Sequence, residues 1–210
     1  MIAQNKIVPV SGDLTKEGLG LSIEDREMIT NDCQIIFNIA ASIDFNARLD
    51  QAIEINIDGC LRMQQLAKEC QNIECFVHMS TCYVNCDKRG FIEEKIYDID
   101  LDVEEHINYL KTLSIKEIHK KTNDILGKFP NTYTYTKSMG ERLLKKHRGN
   151  LPTFIIRPSV VGCSYREPHQ GWVDNISAAG AFVFFVGFGV IRDGIGEKSR
   201  VGDVIPVDYV

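Results

Sequence analysis

Residues 73–81 read IECFVHMST, an apolar run that stops at two hydroxyl side chains, Ser80 and Thr81. Ile73–Met79 has the length and β-branched, aromatic content of a buried strand. In a parallel sheet the carboxyl ends of the strands line the ligand crevice, so a strand that ends on hydroxyls places hydrogen-bonding groups there. Working outward, the pattern recurs. QIIFNIA at 34–40 runs into Ala41-Ser42, and Thr153–Ile156 runs into Arg157-Pro158-Ser159. Ile7–Val10 reads as a strand before the turn Ser11-Gly12-Asp13-Leu14, and Val201–Val207 as a last strand. Helical patterns lie between. Ser22 starts one, with Asp25 as its capping-box partner. Asp50–Cys70 repeats Ile53, Ile57, Leu61 and Leu66 near helical spacing; Ile92–Lys128 is charged and mostly helical; Thr136–Arg148 ends at Gly149-Asn150. Strands alternating with helices predict an α/β fold with a parallel sheet covered on both faces. No Pro/Gly/Ser-rich linker interrupts it, so residues 1–210 are expected to form one domain.

The composition, 44% hydrophobic and 25% charged, is that of a globular chain. A net charge of −5 gives no broad attraction to nucleic acid. The basic clusters Lys120-Lys121 and Lys145–Arg148 read as solvated helix faces. Seven cysteines with no C-x-x-C pair read as free thiols, and no metal site is expected. Met1–Lys6 has no apolar segment of the secretory kind. The most apolar run is Ala178–Ile191, AAGAFVFFVGFGVI, shorter than the roughly 20 residues a spanning helix needs. It reads as a buried segment, or alternatively as a surface that touches a membrane or an acyl chain.

The chemistry-bearing residues gather at the strand ends. Tyr133 and Lys137 form a Tyr-x-x-x-Lys pair whose side chains share one face of a helix. A nearby ammonium favours the phenolate, so a lowered tyrosine pKa is expected, with Tyr133 as general acid to a carbonyl oxygen. Tyr135 has Met139 four residues on and lacks such a partner. Thr81, or alternatively Ser80, would hydrogen-bond the same carbonyl. Ala40 and Ala41 are small enough to let a dinucleotide approach the backbone.

Six stretches carry a resemblance: VSGDLTKEGLGLS (10–22), FNIAASIDFNARLDQAIEINIDGCLRMQQLAKEC (37–70), FVHMSTCYVNCDKRGFIEEKIYD (76–98), PNTYTYTKSMGE (130–141), IIRPSVVGCSYREPHQGWVDN (155–175) and DVIPVDYV (203–210). The chain resembles extended short-chain dehydrogenases/reductases and, within them, the fatty acyl-CoA reductases of the male-sterility group. The PNTYTYTK and REPxxGWVDN stretches are specific to that group. The resemblance implies NADPH-dependent reduction of long-chain acyl-CoA to fatty alcohol. It makes Tyr133 the acid and Lys137 the residue that holds the nicotinamide ribose. Asp13 matches the carboxylate that contacts the adenine amine, Ala40 and Ala41 the loop beside the cofactor, and Pro158 and Ser159 the segment beside the nicotinamide. Arg166–Asn175 would shape the substrate side.

The family opens with a strand, a glycine-rich turn and a helix, which cradle the pyrophosphate. Nothing before Ile7 supplies them, so the doubly wound (Rossmann, extended) sheet is expected to be truncated at both ends. With strands one and two missing, Ile7–Val10 and Gln34–Ala40 would not be neighbours, and weak cofactor binding is expected. The residues that choose NADPH over NADH would lie in the missing part. Two rival readings are a terminal thioester reductase domain of the carboxylic acid reductase type and a catalytically inactive scaffold that keeps the fold. Family resemblance further implies an intracellular place on the cytosolic face of peroxisomal or endoplasmic reticulum membranes, with peripheral membrane contact.

Overall fold

A computed structural model describes residues 6–174, 178–194, 196, 197, 199 and 201–210. They fall into two compact units, one ending at Ile156 and the other spanning Arg157–Val210.

The first unit is built on a three-stranded parallel sheet of β1 (Ile35–Asn38), β2 (Cys75–Met79) and β3 (Thr153–Ile156), in that spatial order. Strand β1 stops at Asn38, before the alanines, and β3 matches the expected span. Ile36, Asn38, Phe76 and His78 face one side and are buried there. Cys60, Ala67, Leu144 and Leu151 complete that core with Ile36 and Phe76. Phe37 and Phe154 flank Val77 on the opposite face and are exposed.

Ile7–Val10 is not a strand. Ile7 and Val8 are exposed, and the segment ladders with nothing among the described residues. β-propensity without a neighbouring edge to pair with does not make a strand.

Helix α1 (Ile23–Asp32) is capped by Ser22, whose side chain accepts from the Asp25 N–H. The expected helix Asp50–Cys70 is continuous but not uniform: α2 (Leu49–Ile53) passes through a π turn, Glu54–Asp58, into α3 (Gly59–Glu69). The charged stretch holds two helices, α4 (Val103–Thr112) and α5 (Ile115–Leu126), the latter closed by a capping box between Ser114 and Glu117. Helix α6 (Thr132–His147) begins four residues earlier than expected, because Asn131 caps it by accepting from the Thr134 N–H at 2.9 Å. Leu49, Ile53 and Ile57 pack with Ile107, Leu110, Ile118, Met139 and Leu143 in a second core outside the sheet layer. All seven cysteines are free thiols.

The second unit pairs β4 (Val160–Gly162) with β5 (Val204–Pro206) in parallel. The carboxylate of Asp208 accepts from three successive backbone N–H groups, of Tyr165 (2.7 Å), Arg166 (2.8 Å) and Glu167 (3.1 Å). The apolar run forms α7 (Ala178–Gly187). Its buried alternative does not hold: Phe182 and Phe188 are 60% and 73% exposed. Among the described residues no helix is long and apolar enough to cross a membrane.

Candidate active site

The site assembles where β2 meets the first turns of α6. Strand β2 ends at Met79, and Thr81 caps a short 3-10 segment, Cys82–Asn85, by accepting from the Tyr83 N–H at 3.3 Å. Tyr133 lies in the first turn of α6 and Lys137 one turn on. The Thr81 side chain lies near enough to the Tyr133 hydroxyl to pull its pKa down, and the Phe45 ring lies 5.4 Å from the tyrosine ring. Lys137 is buried, and its ammonium donates to the Met79 carbonyl at 2.8 Å. Thus Tyr133 and Lys137 both reach the carboxyl end of β2.

The two hydroxyl candidates are separated by geometry. Thr81 is close enough to Tyr133 to pull its pKa down, whereas Ser80 Oγ is buried with no hydrogen-bond partner among the described residues. The Ser80 backbone N–H is spent on Ile156 of β3 at 2.7 Å.

The electrostatics differ from expectation at one point. The pKa of Tyr133 is raised, chiefly by burial, with the Thr81 hydrogen bond pulling it down and Cys82 pushing it up. The expected lowering by Lys137 is absent, and burial dominates the phenol. Burial lowers the pKa of Lys137, opposed by Cys60 and by buried Glu141, one turn along the same helix. A buried phenol with a raised pKa keeps its proton at neutral pH, which suits an acid.

Tyr135 faces elsewhere. Its hydroxyl lies 2.9 Å from Nε2 of His106, and Phe129 packs edge-on against its ring.

Asp13 sits in the turn that precedes α1. Its Oδ1 accepts from the Thr15 N–H at 2.9 Å and the Thr15 hydroxyl at 2.7 Å, and Lys16 Nζ lies 3.8 Å from Oδ2. Those Thr15 bonds are the main cause of its lowered pKa. Ala40 and Ala41 follow β1 directly as open loop, Ala40 exposed and Ala41 half-buried. Pro158 and Ser159 are half-buried members of the second unit, between β3 and β4.

Sequence reasoning passed over Asn56. Its Oδ1 accepts from the Ser42 N–H at 2.8 Å, and its Nδ2 donates to the Ser42 carbonyl and the Thr136 hydroxyl, both at 3.1 Å. One buried amide therefore joins the loop after β1 to α6. It sits in the π turn, a device frequent at functional sites. The signal was an asparagine, a poor helix former, in the middle of an apolar helical pattern. His78, within β2, is a core histidine: Nδ1 lies 3.2 Å from Asn38 Nδ2 and 3.3 Å from Cys60 Sγ. Among the described residues no His, Cys, Asp and Glu cluster could hold a metal ion.

A parallel α/β sheet with tyrosine, lysine and threonine gathered near one strand end is a Rossmann-type architecture. The chain belongs to the male sterility protein family, whose profile matches residues 1–210. It is 36% identical over 205 residues to fatty acyl-CoA reductase 2 of Mus musculus, an alignment covering 98% of this chain and 40% of that protein. Against fatty acyl-CoA reductase 1 of Homo sapiens the identity is 33% over 207 residues, covering 99% and 40%. Against the Drosophila melanogaster fatty acyl-CoA reductase wat it is 34% over 203 residues, covering 97% and 39%. The chain thus spans about two fifths of the length of these relatives. In fold it is similar to the terminal R domain from the myxalamid PKS-NRPS biosynthetic pathway (TM-score 0.62, 22% identity, 97% of this chain and 44% of that one). It is also similar to the PhqB reductase domain from Penicillium fellutanum (TM-score 0.60, 17% identity, 95% and 43%).

Proposed function

We propose that residues 1–210 form the cofactor-binding part of an alcohol-forming fatty acyl-CoA reductase that uses NADPH. The observation that carries this reading is the meeting of the Tyr133 hydroxyl with Thr81 at the end of β2, with Lys137 anchored on the carbonyl of Met79. Kinship with named fatty acyl-CoA reductases supports the substrate class.

The residues present suit a nicotinamide cofactor. The orphaned Ser80 Oγ leaves one buried hydrogen-bonding group open beside Thr81. Lys137 would hold the ribose, Ala40 and Ala41 would border the cofactor, and Asp13 would meet the adenine. When bound, the reduced nicotinamide supplies hydride to the thioester carbonyl carbon. Tyr133 transfers its proton to the carbonyl oxygen as negative charge builds there. Thr81 donates to the same oxygen and fixes its direction, with its own geometry set by the Tyr83 N–H. Lys137, close to the strand-end carbonyl, keeps the site positive and tied to the sheet. When the hemithioacetal collapses, its hydroxyl proton returns to Tyr133 and the CoA thiolate leaves; with a second equivalent of NADPH the aldehyde would be reduced at the same groups to the alcohol, Tyr133 again giving the proton. Action on long acyl chains is consistent with a place at the cytosolic face of an organelle membrane.

The test supplies the full-length protein with NADPH and either palmitoyl-CoA or the same acyl group on a carrier-protein phosphopantetheine. Fatty alcohol from the CoA ester at the higher kcat/KM supports the reading. Preference for the carrier-bound thioester favours the terminal thioester reductase type, and no turnover of either favours an inactive scaffold.

A further inference from the structure

The turn that carries Asp13 is held in an unusual way. Gly18, Leu19 and Gly20 are all left-handed, with φ of 60°, 64° and 61°. Glycine takes this conformation without cost, but leucine crowds its Cβ against the backbone there. Leu19 is also the one non-glycine residue with positive φ among the described residues. A leucine at such a place needs a compensating reason, and burial supplies it: Leu19 is 4% exposed, while both glycines beside it are exposed. The short segment Glu17–Gly20 packs on α3.

Leu19 is linked directly to Asp13. Its carbonyl accepts from the Asp13 N–H at 2.7 Å, which closes the loop. Gly12 lies under that carbonyl: a Cβ there would be 3.4 Å from the oxygen. Arginines hold two further carbonyls of the loop, Arg62 that of Leu14 at 2.7 Å and Arg26 that of Gly18 at 3.3 Å. Thr15 occupies one carboxylate oxygen of Asp13, and the other, Oδ2, has only the Lys16 ammonium near it, at 3.8 Å.

We propose that Leu19 is a positioning residue: its buried side chain, on a strained left-handed backbone, pins the loop that aims the Asp13 carboxylate at the adenine amine of the cofactor. The proposal rests on the reading of Asp13 as the adenine contact. Leu19 acts through the backbone bond to Asp13 rather than as a contact of its own. Local strain of this kind persists only where the surroundings over-determine it.

The experiment compares the reduced dinucleotide with its hypoxanthine analogue, in which the adenine amine is replaced by oxygen. Binding to the full-length protein is read by energy transfer from protein to nicotinamide. A hydrogen bond to a charged group is worth about tenfold or more in affinity, so the unaltered protein should prefer the adenine form by about that factor. Asp13→Asn should lose the preference. Leu19→Asn, which tolerates the left-handed backbone but lacks the apolar anchor, should lose it too, binding the adenine form about tenfold more weakly. Leu19→Met, which keeps an apolar anchor, should retain it. If Leu19→Asn keeps the full preference while Asp13→Asn loses it, the Leu19 proposal is overturned and the Asp13 reading survives. If Leu19→Asn weakens both forms by one factor, the residue merely stabilises the fold and the proposal is again overturned. If Asp13→Asn keeps the preference, the adenine contact itself is misassigned.

Discussion

Lowering the pH from 7 to 5 should destabilise the protein, and the largest share should come from His78. It is 2% exposed, enclosed by Asn38 and Cys60, and its pKa is pushed from 6.5 down to about 3, first by burial and then by the charge of Lys137. Its proton is therefore bound by the unfolded chain below pH 6.5 but refused by the folded one until about pH 3. In that window the unfolded state binds more protons, so stability rises with pH and is lost as pH falls. The contribution is complete above 6.5 and declines by about 1.4 kcal/mol for each unit below it. Between pH 7 and 5 the loss is about 2 kcal/mol. Urea unfolding at a series of pH values, for the protein and for His78→Asn, isolates it. The variant should be less stable at pH 7, because the ring fills space and accepts hydrogen bonds. Its pH dependence over 5–7 should be flatter by about 2 kcal/mol. Carboxylates such as Asp50, whose pKa is lowered mainly by its hydrogen bond to Arg48, contribute equally to both proteins and cancel. Equal slopes in the two proteins would refute the argument that His78 is buried neutral.

Gly59→Ala would set a Cβ 2.9 Å from Leu14 Cβ and 3.3 Å from its carbonyl oxygen, so a cost of about 1–3 kcal/mol should appear in urea unfolding. Thr81→Ala should lower kcat by about 10²-fold, as loss of one donor to a developing oxyanion does, while Ser80→Ala keeps kcat within a few-fold; the reverse order in steady-state kinetics would return the role to Ser80. Asp208→Ala should free three backbone N–H groups at Tyr165, Arg166 and Glu167, so hydrogen exchange should accelerate there and leave β2 unchanged.

Strand β3 was legible because its pattern is local, a β-branched run before Arg157-Pro158; the helix around Tyr133 was legible in its body but not at its start, which Asn131 caps so that it begins at Thr132, four residues before Thr136. The strand reading of Ile7–Val10 failed because β-propensity measures fit to a neighbour, and no described strand lies beside it. The Tyr-x-x-x-Lys spacing put both side chains near the end of β2 but gave the wrong sign for the tyrosine pKa. Spacing says that two groups share a helix face; it says nothing about burial by other elements, which is what raises the phenol's pKa. The π turn at Glu54–Asp58 and the bridge made by Asn56 were illegible for the same reason, since the partners of that amide are Ser42 and Thr136. The strain at Leu19 is likewise invisible in the letters GLGLS, because a left-handed leucine is decided by what buries it.

Tyr133 and Tyr135 are two residues apart on one helix, yet one meets Thr81 and the other His106, which makes a matched pair for kinetics. In the full-length protein, kcat for acyl-CoA reduction should fall about 10²–10⁴-fold in Tyr133→Phe and stay within a few-fold in Tyr135→Phe. Undiminished turnover in Tyr133→Phe, or a larger loss in Tyr135→Phe, would contradict the assignment of the proton donor.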